Sequence, residues 1–305
     1  MSDIENKLII GTAPDSWGVW FAQDPKQTPW QRFLDEAAES GYKWIELGPY
    51  GYLPTDPVRL ADELKARGLR ASAGTVFTAF HRGVEQWDLA WEPARQVAEL
   101  TAAMGGEHIV VIPAMWRDDV TGEAVESGTL DDRQWSDLFT GHNRLGKVLA
   151  TEFGLKQQFH PHADSHVGGQ SDIEHLLAET DPELLNLCLD TGHAQYCGAD
   201  SLELIRKYPE RIGYLHLKQI NPEVLAMVNA DNMTWAAANL AGVMSEPPGG
   251  LPDLSAVIEA VEALNKPIFG IVEQDMYPVK FDVPMPIAQR TREYLLSCGS
   301  RTTVS

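Results

Sequence analysis

Eight short β-rich runs, each followed by a helical pattern, succeed one another along this chain with no linker to break the series. They are Leu8–Gly11, Trp44–Leu47, Leu69–Gly74, Ile109–Pro113, Leu155–His160, Leu185–Leu189, Ile212–Leu217 and Ile268–Val272. Strands that alternate with helices make a parallel sheet, because each connection must travel back along the sheet before the next strand begins. Eight of them predict a sheet closed on itself, the TIM (β/α)8 barrel of the α/β class.

The helices carry the punctuation this requires. Thr28-Pro29 precedes a helix with Phe33, Leu34, Ala37 and Ala38 on one face, and Gly41 follows it. Thr55, Asp56 and Pro57 open the next, which carries Leu60 and Leu64 on its inner stripe and ends at Gly68. Leu138, Leu145, Val148 and Leu149 mark another, and Leu254, Val257, Ile258, Val261 and Leu264 mark the helix before the last strand. The 305 residues, 44% of them hydrophobic, suffice for one large core. The expectation is a single barrel domain over 1–305 with an irregular insert at about 218–253. That insert contains Pro247-Pro248-Gly249-Gly250 and a helical piece around Val224 to Ala238. A long stretch of this kind beside a barrel mouth is usually functional.

Charge and targeting narrow the function. The 24 basic and 44 acidic residues give a formal net charge of −20, and the Lys and Arg are scattered, so nucleic acid is not an expected partner. The same balance favours neutral substrates over phosphorylated ones. Neither GxxxxGK[ST] nor GxGxxG occurs. No apolar run approaches the roughly 18 residues that span a bilayer, and Met1-Ser2-Asp3-Ile4-Glu5 is acidic where a signal peptide is basic. A cytoplasmic protein without membrane contact is expected. Cys188, Cys197 and Cys298 form no CxxC pair and read as structural.

A barrel of this kind places its chemistry at the C-terminal ends of the strands. The fifth run ends in His160-Pro161-His162, the sixth in Asp190-Thr191-Gly192-His193, the seventh in His216-Leu217-Lys218 and the eighth in Glu273-Gln274-Asp275. Four consecutive strand ends thus offer a His, an Asp, a His and a Glu that can meet at one point. Imidazole and carboxylate suit a divalent ion such as Mn²⁺, Co²⁺, Zn²⁺ or Fe²⁺, and the lack of Cys argues against a closed structural zinc site. Any one of these histidines alone is more often a satisfied structural residue; their joint placement favours chemistry. Glu46, at the end of the second run, is either a carboxylate that orients substrate hydroxyls or a rim salt bridge. Trp17, Trp20, Phe77 and Trp116 follow early strands, where an aromatic face can pack on the C–H face of a sugar or can simply fill the barrel mouth.

These motifs resemble those of the sugar phosphate isomerase/epimerase superfamily of xylose-isomerase-like TIM barrels, and most closely the inosose dehydratases. The likeness covers nearly the whole chain and includes Gly11-Thr12-Ala13-Pro14, Phe159-His160-Pro161-His162, Leu189-Asp190-Thr191-Gly192-His193, His216-Leu217-Lys218, Pro248-Gly249-Gly250 and Val272-Glu273-Gln274-Asp275. It implies a divalent metal on His160, Asp190, His216 and Glu273, with Mn²⁺ first and Co²⁺, Zn²⁺, Fe²⁺ or Mg²⁺ as alternatives. Most isomerase relatives carry Glu at the position of His160, and His162 is an alternative ligand or acid/base group. His193 and Lys218 would face the substrate, with Glu46, Trp17 and Trp116 as further contacts. Two departures stand out: Asp164-Ser165 replaces a common Gly-Thr, and Gln219 replaces an Asp after the His-Leu-Lys motif.

The resemblance implies a lyase that removes the proton α to the ketone of a keto-polyol and expels a β-hydroxyl. His160, His162, His193, Lys218 and Glu273 are the candidate proton carriers. A lyase for 3-keto-glycosides, including a C-glycoside-cleaving subunit, is the alternative, as is an isomerase or epimerase that reprotonates the same enediolate. A barrel that has lost catalysis is the non-enzymatic alternative. The expected partner is a small keto-sugar or inosose; assembly as a homo-oligomer or with a small partner subunit is left open.

Overall fold

In the computed structural model, which describes residues 8–118, 121–299 and 302–304, eight parallel strands close into a barrel. They are β1 (Leu8–Thr12), β2 (Trp44–Glu46), β3 (Arg70–Thr78), β4 (His108–Pro113), β5 (Lys156–Phe159), β6 (Asn186–Asp190), β7 (Ile212–Leu217) and β8 (Ile268–Val272). Closure is made where β1 pairs with β8, from Leu8 opposite Ile268 to Thr12 opposite Val272, while Thr12 also pairs with Ile45 of β2. Every expected strand is present. The other ends coincide with expectation or differ by one residue, but β3 runs past Gly74 to Thr78, because Thr75 to Thr78 stay in register with Val110 to Pro113 of β4. That extension carries Phe77 out to the barrel mouth.

The helices are α1 (Trp30–Glu39), α2 (Pro57–Arg67), α3 (Gln86–Ala103), α4 (Asp132–Val148), α5 (Gln170–Glu179), α6 (Thr191–Tyr196), α7 (Ser201–Lys207), α8 (Pro222–Asp231), α9 (Trp235–Leu240), α10 (Leu254–Glu262) and α11 (Pro284–Cys298). Asp56 caps α2 by accepting the Arg59 N–H, and Gly68 ends it in the left-handed conformation with φ of 65°. Their apolar stripes pack on the outside of the barrel, as Phe33, Leu34, Leu60, Leu145, Ile258 and Val261 do. Each such buried side chain contributes about 1.5–3 kcal/mol. The barrel interior is filled by Ala13, Ala73, Val110, Cys188, Tyr214 and Ile271. α4 approaches so closely that a Cβ on Gly146 would lie 1.9 Å from the Leu184 carbonyl oxygen.

The insert departs from expectation. The one helix foreseen around Val224 to Ala238 is two, α8 and α9, separated where Asn232 turns left-handed with φ of 48°. A short antiparallel ribbon, Gln219–Ile220 with Met244–Ser245, closes its base. Ile220, Val228, Trp235, Ala238 and Val243 form a small core of their own with Ala163 from the loop after β5. Asp164 locks that junction: its carboxylate accepts the Trp235 backbone N–H at 2.8 Å and pairs with Arg117 at 2.8 Å. Arg117 in turn donates to the carbonyls of Asn232 and Met233. Asp164 has φ of 59°, a conformation glycine adopts freely and Asp tolerates better than most residues, which accounts for the departure from Gly in sequence terms. Among the described residues no helix is long and apolar enough to cross a membrane.

Candidate functional site

His160, Asp190, His216 and Glu273 come together at the C-terminal end of the barrel, all buried, with ligand atoms within 4.8 Å of one another. His160 follows β5 directly, Asp190 ends β6, His216 is the penultimate residue of β7, and Glu273 follows β8. Asp190 does two jobs. Its Oδ1 caps α6 by accepting the His193 N–H at 2.8 Å, while Oδ2 stands 3.2 Å from His160 Nε2 and 3.6 Å from His216 Nδ1. His216 Nε2 is paired with Glu46 at 2.7 Å, which turns Nδ1 toward the cluster. That Nδ1 is buried and lies 2.7 Å from a Glu273 oxygen, yet the pair is not aligned as a hydrogen bond. Two imidazoles and two carboxylates that crowd a common point, with His216 Nδ1 left without a hydrogen bond, suit a coordinated cation.

The electrostatics point the same way. Burial would raise the Asp190 carboxyl, but Lys218, His193 and the two clustered imidazoles hold it well below its ordinary range. Burial likewise opposes ionisation of Glu273, and His216 and Lys218 overcome it. His160 and His216 are pulled upward against their own burial, His160 by hydrogen bonds to Asp190 and Glu273, His216 by the negative groups around it. Two ionised carboxylates and two imidazoles thus face one point. The residues therefore fit a divalent cation held by two imidazoles and two carboxylates.

Lys218 is the fifth member. Its buried ammonium lies 2.9 Å from Asp190 and 2.8 Å from both Glu273 and Asp275, and these three carboxylates raise its pKa despite burial. It is held firmly as a cation. A side chain on Gly192 is impossible there, since a Cβ would fall 2.1 Å from Lys218 Cγ. His162 and His193 lie with centroids 3.9 Å apart and planes tilted by 37°, and the Trp235 ring lies 4.3 Å from His193. Burial pushes His162 down to about 3 and holds His193 well below its usual value, so both are neutral imidazoles.

A cavity of about 620 Å³ opens over this cluster, and Asp15, Glu46, His162, Glu273 and Asp275 form its polar wall. Its outer wall is apolar, with Trp20, Phe21, Tyr50, Phe77 and Met115. A larger recess of about 740 Å³, bordered by Asp24, Trp30 and Arg59, contains none of the clustered residues. Two expected contacts are corrected. Trp17 is fully buried in the core, edge-on to Phe33 at 5.1 Å, with its indole N–H given to Glu36 at 2.8 Å, so no face is free for substrate. Trp116 lies outside the cavity lining and packs beside Arg117. Asp15, Asp275 and Trp235 were not singled out from sequence. Asp15 and Asp275 both have raised pKa values, from burial first, then from carboxylates nearby that include Glu273. Only their position just after the first and last strands signals them.

The model of the xylose isomerase-like TIM barrel family matches residues 34–282. The inosose dehydratase of Geobacillus thermodenitrificans is 30% identical over 310 residues, covering 97% of this chain and 99% of the relative. Among solved structures, the IOLI protein with a bound zinc atom superposes with a TM-score of 0.70 at 12% identity, covering 96% of this chain and all of the other. The 3-keto-D-glucoside 4-epimerase of E. coli gives a TM-score of 0.68 at 15% identity, with 96% and 100% covered.

Proposed function

The chain belongs to the xylose isomerase-like TIM barrel family and is an enzyme of the lyase or isomerase/epimerase kind, and on that premise we propose that it is a metal-dependent carbon–oxygen lyase. Its substrate is a neutral keto-polyol of the inosose type, from which it removes the proton α to the ketone and expels a β-hydroxyl as water. The observation that carries this reading is the buried His160–Asp190–His216–Glu273 cluster opening onto a cavity beside neutral His162. A divalent cation on those four side chains, Mn²⁺ foremost with Co²⁺, Zn²⁺, Fe²⁺ or Mg²⁺ as alternatives, would supply Lewis-acid polarisation of the ketone.

The protein supplies the proton transfers. His162 donates from Nδ1 to the Ala163 carbonyl at 2.7 Å, so its Nε2 lone pair is free to accept the α-proton. His193 Nδ1 accepts the Ala163 N–H at 3.1 Å, which leaves its Nε2–H as a donor. Asp15, held toward the neutral acid by burial, gives a proton to the departing hydroxyl, and cationic Lys218 offsets charge between the Asp190, Glu273 and Asp275 carboxylates. Glu46 acts by orienting His216.

A second reading rests on the apolar outer wall. Phe21, Tyr50 and Phe77 are 48%, 38% and 57% exposed around a cavity roomier than one polyol ring needs. That wall suits a β-substituent larger than hydroxyl, as in a 3-keto-glycoside lyase. Both readings share one test. Inososes and 3-keto-glycosides labelled with deuterium α to the ketone are turned over, and label must appear in solvent. Turnover at full rate with the label retained at its original carbon rules out both, and an internally shielded transfer replaces them.

A further inference from the structure

Three loops at the barrel mouth bring together residues that the chemistry above does not use. His81 lies in the turn Phe80–Arg82 after β3, Glu126 in the loop after β4, and His166 in the loop after β5. Ligand atoms of all three fall within 4.8 Å of one another. His81 Nε2 stands 3.0 Å from Glu126 Oε1, and the two imidazole rings are 4.5 Å apart at an angle of 54°.

The state of His166 decides what this group can do. Its Nε2–H donates to the Ser127 carbonyl at 2.7 Å, so the ring is the tautomer with a lone pair on Nδ1. That Nδ1 is buried without a hydrogen-bond partner, and the residue is only 7% exposed. A buried acceptor with no donor costs about 1–3 kcal/mol unless something fills it. An imidazole whose far nitrogen is tied to a backbone carbonyl is also the arrangement that orients metal-bound histidine. Glu126 Oε1 takes Arg82 Nη2 at 2.8 Å as well as His81, and Arg82 also engages Oε2 from Nε at 3.2 Å; a ligand bond at Oε1 would displace the first Arg82 contact and keep the second.

We propose that His81, Glu126 and His166 form a second cation site, for Zn²⁺ or another divalent ion of similar softness, that fastens the loops after β3, β4 and β5 around the cavity mouth. Two imidazoles and one carboxylate make a three-ligand set with a fourth position open. The site shares no residue with the cluster at the strand ends. Its net charge is low, because Arg82 balances Glu126, so it binds Zn²⁺ less tightly than that cluster does.

The test is metal counting on the full chain after chelation, dialysis and re-equilibration with Zn²⁺ alone. Wild type should hold one equivalent more than Glu126→Gln, a variant whose amide oxygen still accepts from Arg82 and His81 and so spares the loop. Zn²⁺ affinity at this site should fall at least about tenfold in that variant and in His166→Asn. With Co²⁺ in place of Zn²⁺, the visible bands of a low-coordinate ion should persist in Asp190→Asn and vanish in Asp190→Asn/Glu126→Gln. Equal Zn²⁺ counts in wild type, Glu126→Gln and His166→Asn would overturn the proposal and leave a hydrogen-bonded latch. The difference of one equivalent is read whatever the main cluster holds, so its failure is distinct from failure of the proposed lyase reading.

Discussion

His216 gives its Nε2 hydrogen to Glu46 across the barrel mouth at 2.7 Å, with both side chains buried. A carboxylate behind a ligating imidazole fixes its tautomer and its direction, and such partners typically matter 10–100-fold to metal affinity. Glu46→Gln should fold as the wild type does and bind Mn²⁺ or Co²⁺ more weakly by about that factor. Competition against a coloured chelator measures it; unchanged affinity would remove Glu46 from the metal's support.

Asp190→Asn and His216→Ala should each lose the bound metal while staying folded. The Asn side chain can still cap α6, and the His216 site is polar rather than part of the apolar core. kcat/KM should drop by about a thousandfold, in the range expected when charge stabilisation is removed. Chelation should abolish wild-type activity and Mn²⁺ or Co²⁺ restore it. Full metal content in both folded variants by elemental analysis refutes the ligand assignment.

Neutral keto-polyols should be preferred to their phosphates by kcat/KM. The glycine pair in the insert looks like an anion cradle in sequence, but both amides are taken: Gly249 N–H donates to Glu246 at 2.7 Å and Gly250 N–H to Gln219 Oε1 at 3.1 Å. Gln219 also donates to the carbonyls of Gly250 and Pro252, so it serves the loop rather than the substrate. Equal or better turnover of a sugar phosphate contradicts this.

Acid should destabilise the fold through two structural histidines. Burial pushes His108 down to about 3 and His142 down to about 4, against about 6.5 in an unfolded chain. Between those values the unfolded chain binds protons that the folded one refuses, so stability falls as pH drops below about 6.5 and is flat above it. For His142 the loss approaches about 3 kcal/mol near pH 4. Urea midpoints from pH 7 to 4 should decline less steeply in His142→Gln than in wild type; identical slopes would refute the assignment.

Asp164→Ala should loosen the insert without unfolding the barrel. It leaves Arg117 without its carboxylate in a nearly closed setting, a change that costs about 3–5 kcal/mol when a buried pair is broken. Hydrogen exchange should speed up in α8 and α9 and stay unchanged in the barrel strands. Uniform acceleration throughout the chain would show that the junction is not a local fastening.

The barrel was legible because its signal is repeated eight times, and a strand–helix alternation tolerates a misplaced end at any one unit. The residues His160, Asp190, His216 and Glu273 were legible for the same reason, since the fold dictates that consecutive strand ends converge. Trp17 was misread because an aromatic in a loop after a strand can turn inward as easily as toward substrate, and only the placement of Glu36 on α1 decides. The break at Asn232 was hidden, because the apolar positions on either side continue a helical spacing through it. Asp15 and Asp275 belong to no spacing pattern. What marks them is burial next to other carboxylates, a property of the closed barrel.

The bond between His216 and Glu46 joins residues 170 positions apart, while His160, Asp190, His216 and Glu273 all come from the second half of the chain. The cluster and the carboxylate that orients it therefore come from distant parts of the chain. A growing chain makes Glu46 long before β7 exists, and the carboxylate reaches its imidazole only when β1 and β2 meet the returning end of the sheet. The four-residue cluster and its orienting carboxylate are thus complete only in the closed barrel, so cation affinity that depends on Glu46 would report that ring closure has occurred.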